Sequence, residues 1–157
     1  GVPAVVGCAP GADLAFVRGF LVAGRPSLLS VRAVGSSSGA GFPAPSVSFP
    51  LLRRAARAGA SVRWLAGGPL SLPLVPRLLG RSASCLAPAP CAAFAVVSSP
   101  GSRGSFRSLV LAARAGVPVF VVPVGFAPSR LPSRLGAAGS WVPASFVGVS
   151  CFRWLGG

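Results

Sequence analysis

The sequence predicts an α/β protein built on an open parallel β-sheet with helices on both faces. Short runs rich in Val, Leu and Phe are apolar at successive positions, as in strands that are buried on both faces. Segments with helical periodicity lie between these runs, and a glycine follows three of the four, where helices commonly end. Strand and helix in alternation favour a parallel sheet with right-handed crossovers.

The elements follow in order along the chain. The predicted strands are residues 4–6, 29–34, 61–65, 94–97 and 117–122, and the predicted helices are 14–23, 49–58, 74–87 and 106–115. Gly24, Gly59 and Gly116 are the predicted C-caps. Residues 35–45 form a loop rich in Gly, Ser and Pro.

The domain organisation follows from length and composition. With 157 residues, of which 52% are hydrophobic, the chain is long enough for one compact domain with a core. We expect that domain to cover residues 1–125. Residues 126–157 are rich in Pro, Gly and Ser and carry Trp141, Phe152 and Trp154, so we expect them to form a tail that packs on the domain.

The charge balance is the most unusual property of the composition. All fifteen basic residues are Arg, the only acidic residue is Asp13, and the formal net charge is +14. Arg stays charged at any ordinary pH and presents a planar fork that suits phosphate, so anionic partners are favoured. The residue types present, except Asp, can all be encoded without adenine. A GC-rich mutational bias and an accidental reading frame both produce such a restricted set of residue types. In either case, Asp13 is the one position whose codon requires adenine.

Several classes of protein are not expected. The four cysteines, at positions 8, 85, 91 and 151, form no CxxC pair and the chain has no His, so we expect neither a zinc site nor a disulfide framework. The first residues show no targeting signal, and the long stretches without Arg are interrupted by Pro. We therefore predict a cytoplasmic protein with no membrane partner and no cofactor, and a homo-oligomer is compatible with the sequence.

Two loops between a predicted strand and the following helix suit an anionic ligand. The first is the run Gly7-Cys8-Ala9-Pro10-Gly11-Ala12 before Asp13, and the second is the run from Ser98 to Ser105. In open parallel sheets, ligands bind at the carboxyl ends of the strands, where helix N-termini present free N–H groups. We therefore expect Asp13 and the 101–105 loop to face each other across one cleft.

Four segments in this order resemble the SLOG superfamily, Rossmann-like proteins that include DNA-processing protein A, the Lonely Guy enzymes and YspA-like nucleotide sensors. The segments are VVGCAPGAD at 5–13, GRSASCL at 80–86, FAVVSSPGSRGSF at 94–106 and AARAGVPVFVVPVG at 112–125. The ordered series argues against an accidental reading frame. Family members usually begin with a further strand and a G-S-R turn, so the chain is also compatible with a fragment that lacks a first strand and helix.

The resemblance implies a site that binds a nucleotide or a nucleotide derivative. Its predicted ligand-binding residues are Gly7, Cys8, Gly11, Asp13, Arg81, Ser99, Gly101, Ser102, Arg103, Gly104 and Ser105. The glycines give backbone clearance, and Arg103 is the preferred phosphate contact. Asp13 is either a helix N-cap alone or a cap that also contacts the ligand. Arg81 is either a solvated helix residue or an anion contact, and Cys8 is either a small buried residue or a nucleophile that the helix dipole activates.

Two functions remain open. A nucleotide-binding sensor or carrier domain is favoured by the paired glycine loops, and a nucleic-acid-binding domain of the DNA-processing type is the alternative, because the high positive charge attracts polyanions. A continuous arginine face would indicate nucleic acid, and a ring of arginines around the glycine loops would indicate a nucleotide. Catalysis of the Lonely Guy type is not expected, since that reaction uses a Glu and this chain has none.

Overall fold

The chain has a Rossmann-like α/β fold in a computed structural model that describes residues 2–87 and 90–156. The helices are α1 (Ala12–Val22), α2 (Pro45–Arg57), α3 (Leu74–Ser84) and α4 (Arg103–Arg114). The strands are β1 (Ala4–Val6), β2 (Leu29–Arg32), β3 (Ser61–Arg63), β4 (Ala93–Val97), β5 (Val119–Pro123), β6 (Arg134–Leu135), β7 (Ala137–Phe146) and β8 (Val149–Gly156). Strands and helices alternate from β1 to β5, as predicted.

The chain divides into two compact units, Gly1–Ala87 and Pro88–Gly157. The division between the units lies after Ala87, whereas the predicted boundary lies after residue 125. The C-terminal segment belongs to the second unit because its strand β8 pairs with β5. The assignment of residues 1–125 to one domain stays a prediction.

The first unit contains a three-stranded parallel sheet in the order β1-β2-β3. Helices α1 and α2 pack against each other, and α3 packs against β2. The core includes Leu14 and Val17 of α1, Val31 of β2 and Leu52 of α2, all with at most 1% of their surface exposed. Because the three strands are parallel, their carboxyl ends and the loops that follow them lie at the same edge of the sheet.

The second unit contains a mixed sheet in the order β4-β5-β8-β7-β6. The β4 and β5 strands are parallel, whereas β8 pairs antiparallel with β5 and β7 pairs antiparallel with β8. Phe146 of β7 stacks on the rings of Phe94 and Phe120. The C-terminal segment therefore extends the sheet as an antiparallel hairpin, whereas the sequence analysis identified no strand after residue 122 and expected a tail that packs on the domain.

Helix starts differ most from the prediction. The predicted 49–58 helix begins at Pro45, and the predicted 106–115 helix begins at Arg103. Proline suits the first turn of a helix, because its fixed φ matches the helix and its missing N–H would be unpaired there. Within the described parts of the chain, no helix is both long and apolar enough to cross a bilayer.

Candidate functional site at the carboxyl edge of the first sheet

The loop after β1 brings the protein's only acidic side chain to the carboxyl edge of the sheet. Asp13 is the second residue of α1, and Gly11 is the N-cap. Asp13 Oδ2 accepts hydrogen bonds from the Ala9 N–H at 3.0 Å and from Arg81 Nη1 at 3.1 Å. Asp13 therefore holds the loop before the helix, and it does not cap the N–H groups of the first helical turn as the sequence analysis considered.

The ion pair between Asp13 and Arg81 connects two elements that lie far apart in sequence. Arg81 belongs to the last turn of α3, and its side chain is 12% exposed against 28% for Asp13. Arg81 was expected to be either a solvated helix residue or an anion contact. The Arg81 side chain is largely shielded from solvent, and the anion that it contacts is the Asp13 carboxylate of the same chain. Its Nε is buried and, among the described residues, has no hydrogen-bond partner.

Gly7 is buried directly against this ion pair. A Cβ at position 7 would overlap Arg81 Nη1 and Asp13 Oδ2. The glycine is therefore needed so that the backbone can approach the two charged groups, and any side chain would push them away from the loop. The predicted role of Gly7 in giving clearance to a ligand stays a prediction, since the group that fills its space is Arg81.

Arg77, one turn before Arg81 on α3, is a buried residue that the sequence analysis missed. Its Nη1 donates to Val34 O at 3.1 Å and to Gly41 O at 3.0 Å, and its Nε donates to Leu72 O at 3.1 Å. One guanidinium thus joins the loops that follow β2 and β3. The sequence spacing could have identified Arg77 as buried, because positions 74, 77, 78 and 81 form the i, i+3, i+4, i+7 stripe of a buried helix face.

Cys8 is a structural residue in this arrangement. It is 1% exposed, its Sγ accepts a hydrogen bond from the Val34 N–H at 3.4 Å, and its carbonyl accepts one from Ser48 Oγ at 3.2 Å. Burial raises the pKa of the Cys8 thiol above its ordinary value. Desolvation of the thiolate outweighs the lowering of this pKa by the Val34 N–H and by Arg81, so Cys8 is a protonated thiol at neutral pH and a poor nucleophile.

The second predicted loop lies between β4 and α4 and is more open. Ser99 Oγ accepts a hydrogen bond from the Gly101 N–H at 3.1 Å, and Ser102 is the N-cap of α4 without a side-chain cap bond. Arg103 is exposed. A Cβ at Gly104 would meet no atom within 4 Å, so protein packing does not require glycine there.

Ser105 lies in the first turn of this helix and is half-buried. The structure thus brings Gly7, Cys8, Asp13 and Arg81 together in the first unit, beside Gly11, whose φ of 104° favours glycine. It places Ser99, Gly101, Ser102, Arg103, Gly104 and Ser105 together in the second unit. The expectation that both loops face one cleft stays a prediction.

Comparisons with protein-family models, with curated proteins and with solved structures find no match to this chain. The resemblance to the SLOG superfamily is therefore carried by its sequence motifs alone.

All four cysteines are free, and within residues 2–87 and 90–156 no three Cys or Asp side chains lie together as metal ligands would.

Proposed function

We propose that the protein is a binding domain for a nucleotide or a nucleotide-derived molecule, with Asp13 as the acceptor for a ligand hydroxyl and the 101–105 loop as the phosphate contact. The observation that carries the proposal is the fixed position of the Asp13 carboxylate at the carboxyl edge of a parallel sheet, where such folds bind ligands. The proposed location is the cytoplasm.

The hydrogen bonds of Asp13 within the protein involve one of its two carboxylate oxygens, which leaves the other oxygen for a ligand. Both protein donors, the Ala9 N–H and Arg81 Nη1, bind the same oxygen, Oδ2. We assign the other oxygen, Oδ1, to a hydroxyl of the ligand. Arg81 then acts as the residue that orients the carboxylate, and its predicted direct contact with the ligand stays a prediction.

The 101–105 loop supplies what a phosphate requires. A helix N-terminus has free N–H groups and a partial positive charge, and the first helical residue, Arg103, is exposed and has no carboxylate partner among the described residues. The open space over Gly104 allows an anion to approach the backbone. Binding without chemistry is the activity proposed, because Cys8 is protonated and Asp13 is engaged in an ion pair.

Calorimetry with a series of nucleoside 5′-monophosphates tests the role of Asp13. Asp13→Asn removes the carboxylate, and Arg81→Gln breaks the same ion pair but keeps the carboxylate. We expect Asp13→Asn to weaken binding by about 1.5–3 kcal/mol, the range for a hydrogen bond to a charged group, and Arg81→Gln to weaken it less. Both variants should melt at a lower temperature than the wild type.

Two results would contradict the assignment. If no nucleotide binds the wild-type chain, the proposed function is wrong. If Asp13→Asn melts lower but binds with unchanged affinity, Asp13 is only a structural residue.

For the second loop, Arg103→Gln should weaken binding of the monophosphate, whereas Arg107→Gln, also exposed on α4, is the charge-matched control and should leave it unchanged.

A further inference from the structure

The ion pair between Asp13 and Arg81 uses only one polar atom of each side chain. Arg81 Nη1 donates to Asp13 Oδ2 at 3.1 Å, and the other protein donor, the Ala9 N–H, binds the same oxygen. Asp13 Oδ1 and Arg81 Nη2 form no hydrogen bond with the residues that the structure describes. Because a carboxylate and a guanidinium commonly pair through two parallel hydrogen bonds, this pair leaves one acceptor and one donor unused.

Both unused atoms can be reached from solvent. Within residues 2–87 and 90–156, the side-chain nitrogen or oxygen atom that is buried without a partner is Arg81 Nε. Oδ1 and Nη2 also lack a partner but are not buried, so they lie where the ion pair meets solvent. The guanidinium therefore has its Nε edge inside the protein and its Nη2 at the surface, beside the carboxylate.

The loop after β1 determines which side of the ion pair is open. A Cβ at Gly7 would overlap Arg81 Nη1 and Asp13 Oδ2, so the two paired atoms face the loop. A Cβ at Gly11, two residues before Asp13, would meet no atom within 4 Å. The loop is thus closed against the paired atoms and open just before the helix, where a ligand can approach the unused ones.

An adjacent acceptor and donor match two neighbouring hydroxyl groups. A hydroxyl both donates and accepts, so one hydroxyl of a vicinal diol can donate to Oδ1 while the other accepts from Nη2. A guanine edge offers two donors to a carboxylate and requires both of its oxygens, but Oδ2 is already occupied. A phosphate dianion only accepts hydrogen bonds, and the carboxylate repels it.

We infer that the Asp13–Arg81 ion pair recognises the cis-diol of a ribose, so that the ligand is a ribonucleotide whose 2′ and 3′ hydroxyls are both free. The inference rests on the proposed nucleotide-binding function and specifies the sugar. It gives Arg81 a contact with the ligand in addition to its contact with Asp13. A nucleotide that lacks either hydroxyl is a poorer ligand, because one charged group of the pair then has no partner in the complex.

Calorimetry with the full chain tests this inference. The probes are the ribonucleoside 5′-monophosphates of adenine, guanine, cytosine and uracil, together with the 2′-deoxy and 3′-deoxy analogues of each. We expect the best ribonucleotide to bind about tenfold more tightly than either of its analogues, since each analogue loses one hydrogen bond to a charged group.

The same titrations separate two kinds of failure. If none of the probes binds, the proposed function is wrong and this inference fails with it. If the nucleotides bind but either analogue has an affinity within about threefold of the ribonucleotide, the diol assignment is wrong and the proposed function stands.

Substitutions then assign the two hydroxyls. Arg81→Lys keeps the charge and one donor for Asp13, but a single nitrogen cannot occupy both positions of the fork, so the preference over one analogue should fall to about threefold or less. Asp13→Asn should reduce the preference over the other analogue in the same way, because a neutral amide oxygen is a weaker acceptor.

Arg103→Gln is the control, since Arg103 belongs to the proposed phosphate contact at the start of α4. It should weaken the ribonucleotide and both analogues by the same factor and leave the preference unchanged. An Arg81→Lys variant that keeps the wild-type preference over both analogues, or an Arg103→Gln variant that loses it, would overturn the inference.

Discussion

Gly7 lies so close to the ion pair of Asp13 and Arg81 that a single methyl group tests the arrangement. Gly7→Ala should lower the free energy of unfolding by about 1–3 kcal/mol, the usual cost of overpacking, because the new Cβ forces both charged groups to move. Gly104→Ala is the matched control, since its Cβ has free space and lies within α4. Urea unfolding of both variants measures the difference.

The control should be neutral or more stable than the wild type, because alanine is preferred over glycine in a helix by about 1 kcal/mol. A Gly7→Ala variant as stable as Gly104→Ala would mean that the loop after β1 adjusts at little cost and that the ion pair does not fix it.

Arg77 is the second residue whose replacement is informative. Arg77→Lys keeps the positive charge, but an ammonium group cannot donate in the fork geometry with which the guanidinium reaches three carbonyls. We expect a loss of stability of about 1–3 kcal/mol, the cost of a buried polar group left without its partner. Arg107→Lys, on an exposed position of α4, should change stability by less than about 0.5 kcal/mol in the same thermal unfolding measurement. Equal stability of the two variants would contradict the structural role of Arg77.

At the scale of elements, the sequence predicted every strand and helix from β1 to β5, with bounds within four residues of those observed. The apolar runs and the glycine C-caps carried this information. Gly24, Gly59 and Gly116 all have the positive φ that such caps require. The candidate site was predicted in part: the positions of Gly7, Asp13 and Arg81 were identified, but a contact between residues 13 and 81 depends on tertiary packing that no local pattern contains.

The strands β7 and β8 were missed because their residues are poor strand signals. Gly139, Pro143 and Gly148 interrupt or end the apolar alternation, and glycine and proline are depleted in strands. Pairing between Trp141 and Trp154 and between Pro143 and Phe152 stabilises the hairpin after it has formed. Such cross-strand pairs are visible only when the register is known.

The turn of this hairpin is strained. Val147 and Gly148 connect the paired residues Phe146 and Val149, and both have positive φ, 50° and 79°. A two-residue turn with two positive φ values prefers Asn-Gly, and a β-branched residue at its first position is disfavoured. Val147→Asn should therefore raise stability by about 1 kcal/mol.

Thermal unfolding checks this prediction, with Val149→Asn as the control. Val149 is also exposed but lies in β8, where asparagine is less favourable than valine, so the control should melt at a lower temperature than the wild type. If the two variants shift the melting temperature in the same direction, the turn residue is not strained.

At the scale of the whole molecule, the titration behaviour is simple. The chain has no Lys, Tyr or His, so its cysteines are the side chains that titrate between pH 7 and 11. Burial raises the pKa of the Cys85 thiol from 9.0 to about 11. Because this folded-state pKa is higher than the unfolded one, the contribution to stability is fully present below pH 9 and is lost as the pH rises through 11.

The free energy of unfolding should therefore fall between pH 9 and pH 11, as measured by urea unfolding at intervals of half a pH unit. Cys85→Ala should make this fall smaller. Cys91→Ala is the control, since Cys91 is exposed, and it should fall as the wild type does. An alkaline fall that is the same in Cys85→Ala as in the wild type would show that Cys85 ionises equally in the folded and unfolded chains.

The ion pair of Asp13 with Arg81 also determines how two copies of this protein meet. Since the single carboxylate is occupied within its own chain, twelve arginines are exposed and no other acidic side chain exists to face them. Two such surfaces repel each other, and no arginine on one copy can find a side-chain carboxylate on the other without breaking an existing pair. Side-chain salt bridges therefore cannot hold a homo-oligomer of this chain together, and its copies would associate through apolar contacts, through hydrogen bonds of uncharged groups, or through anions that bind guanidinium groups on both copies.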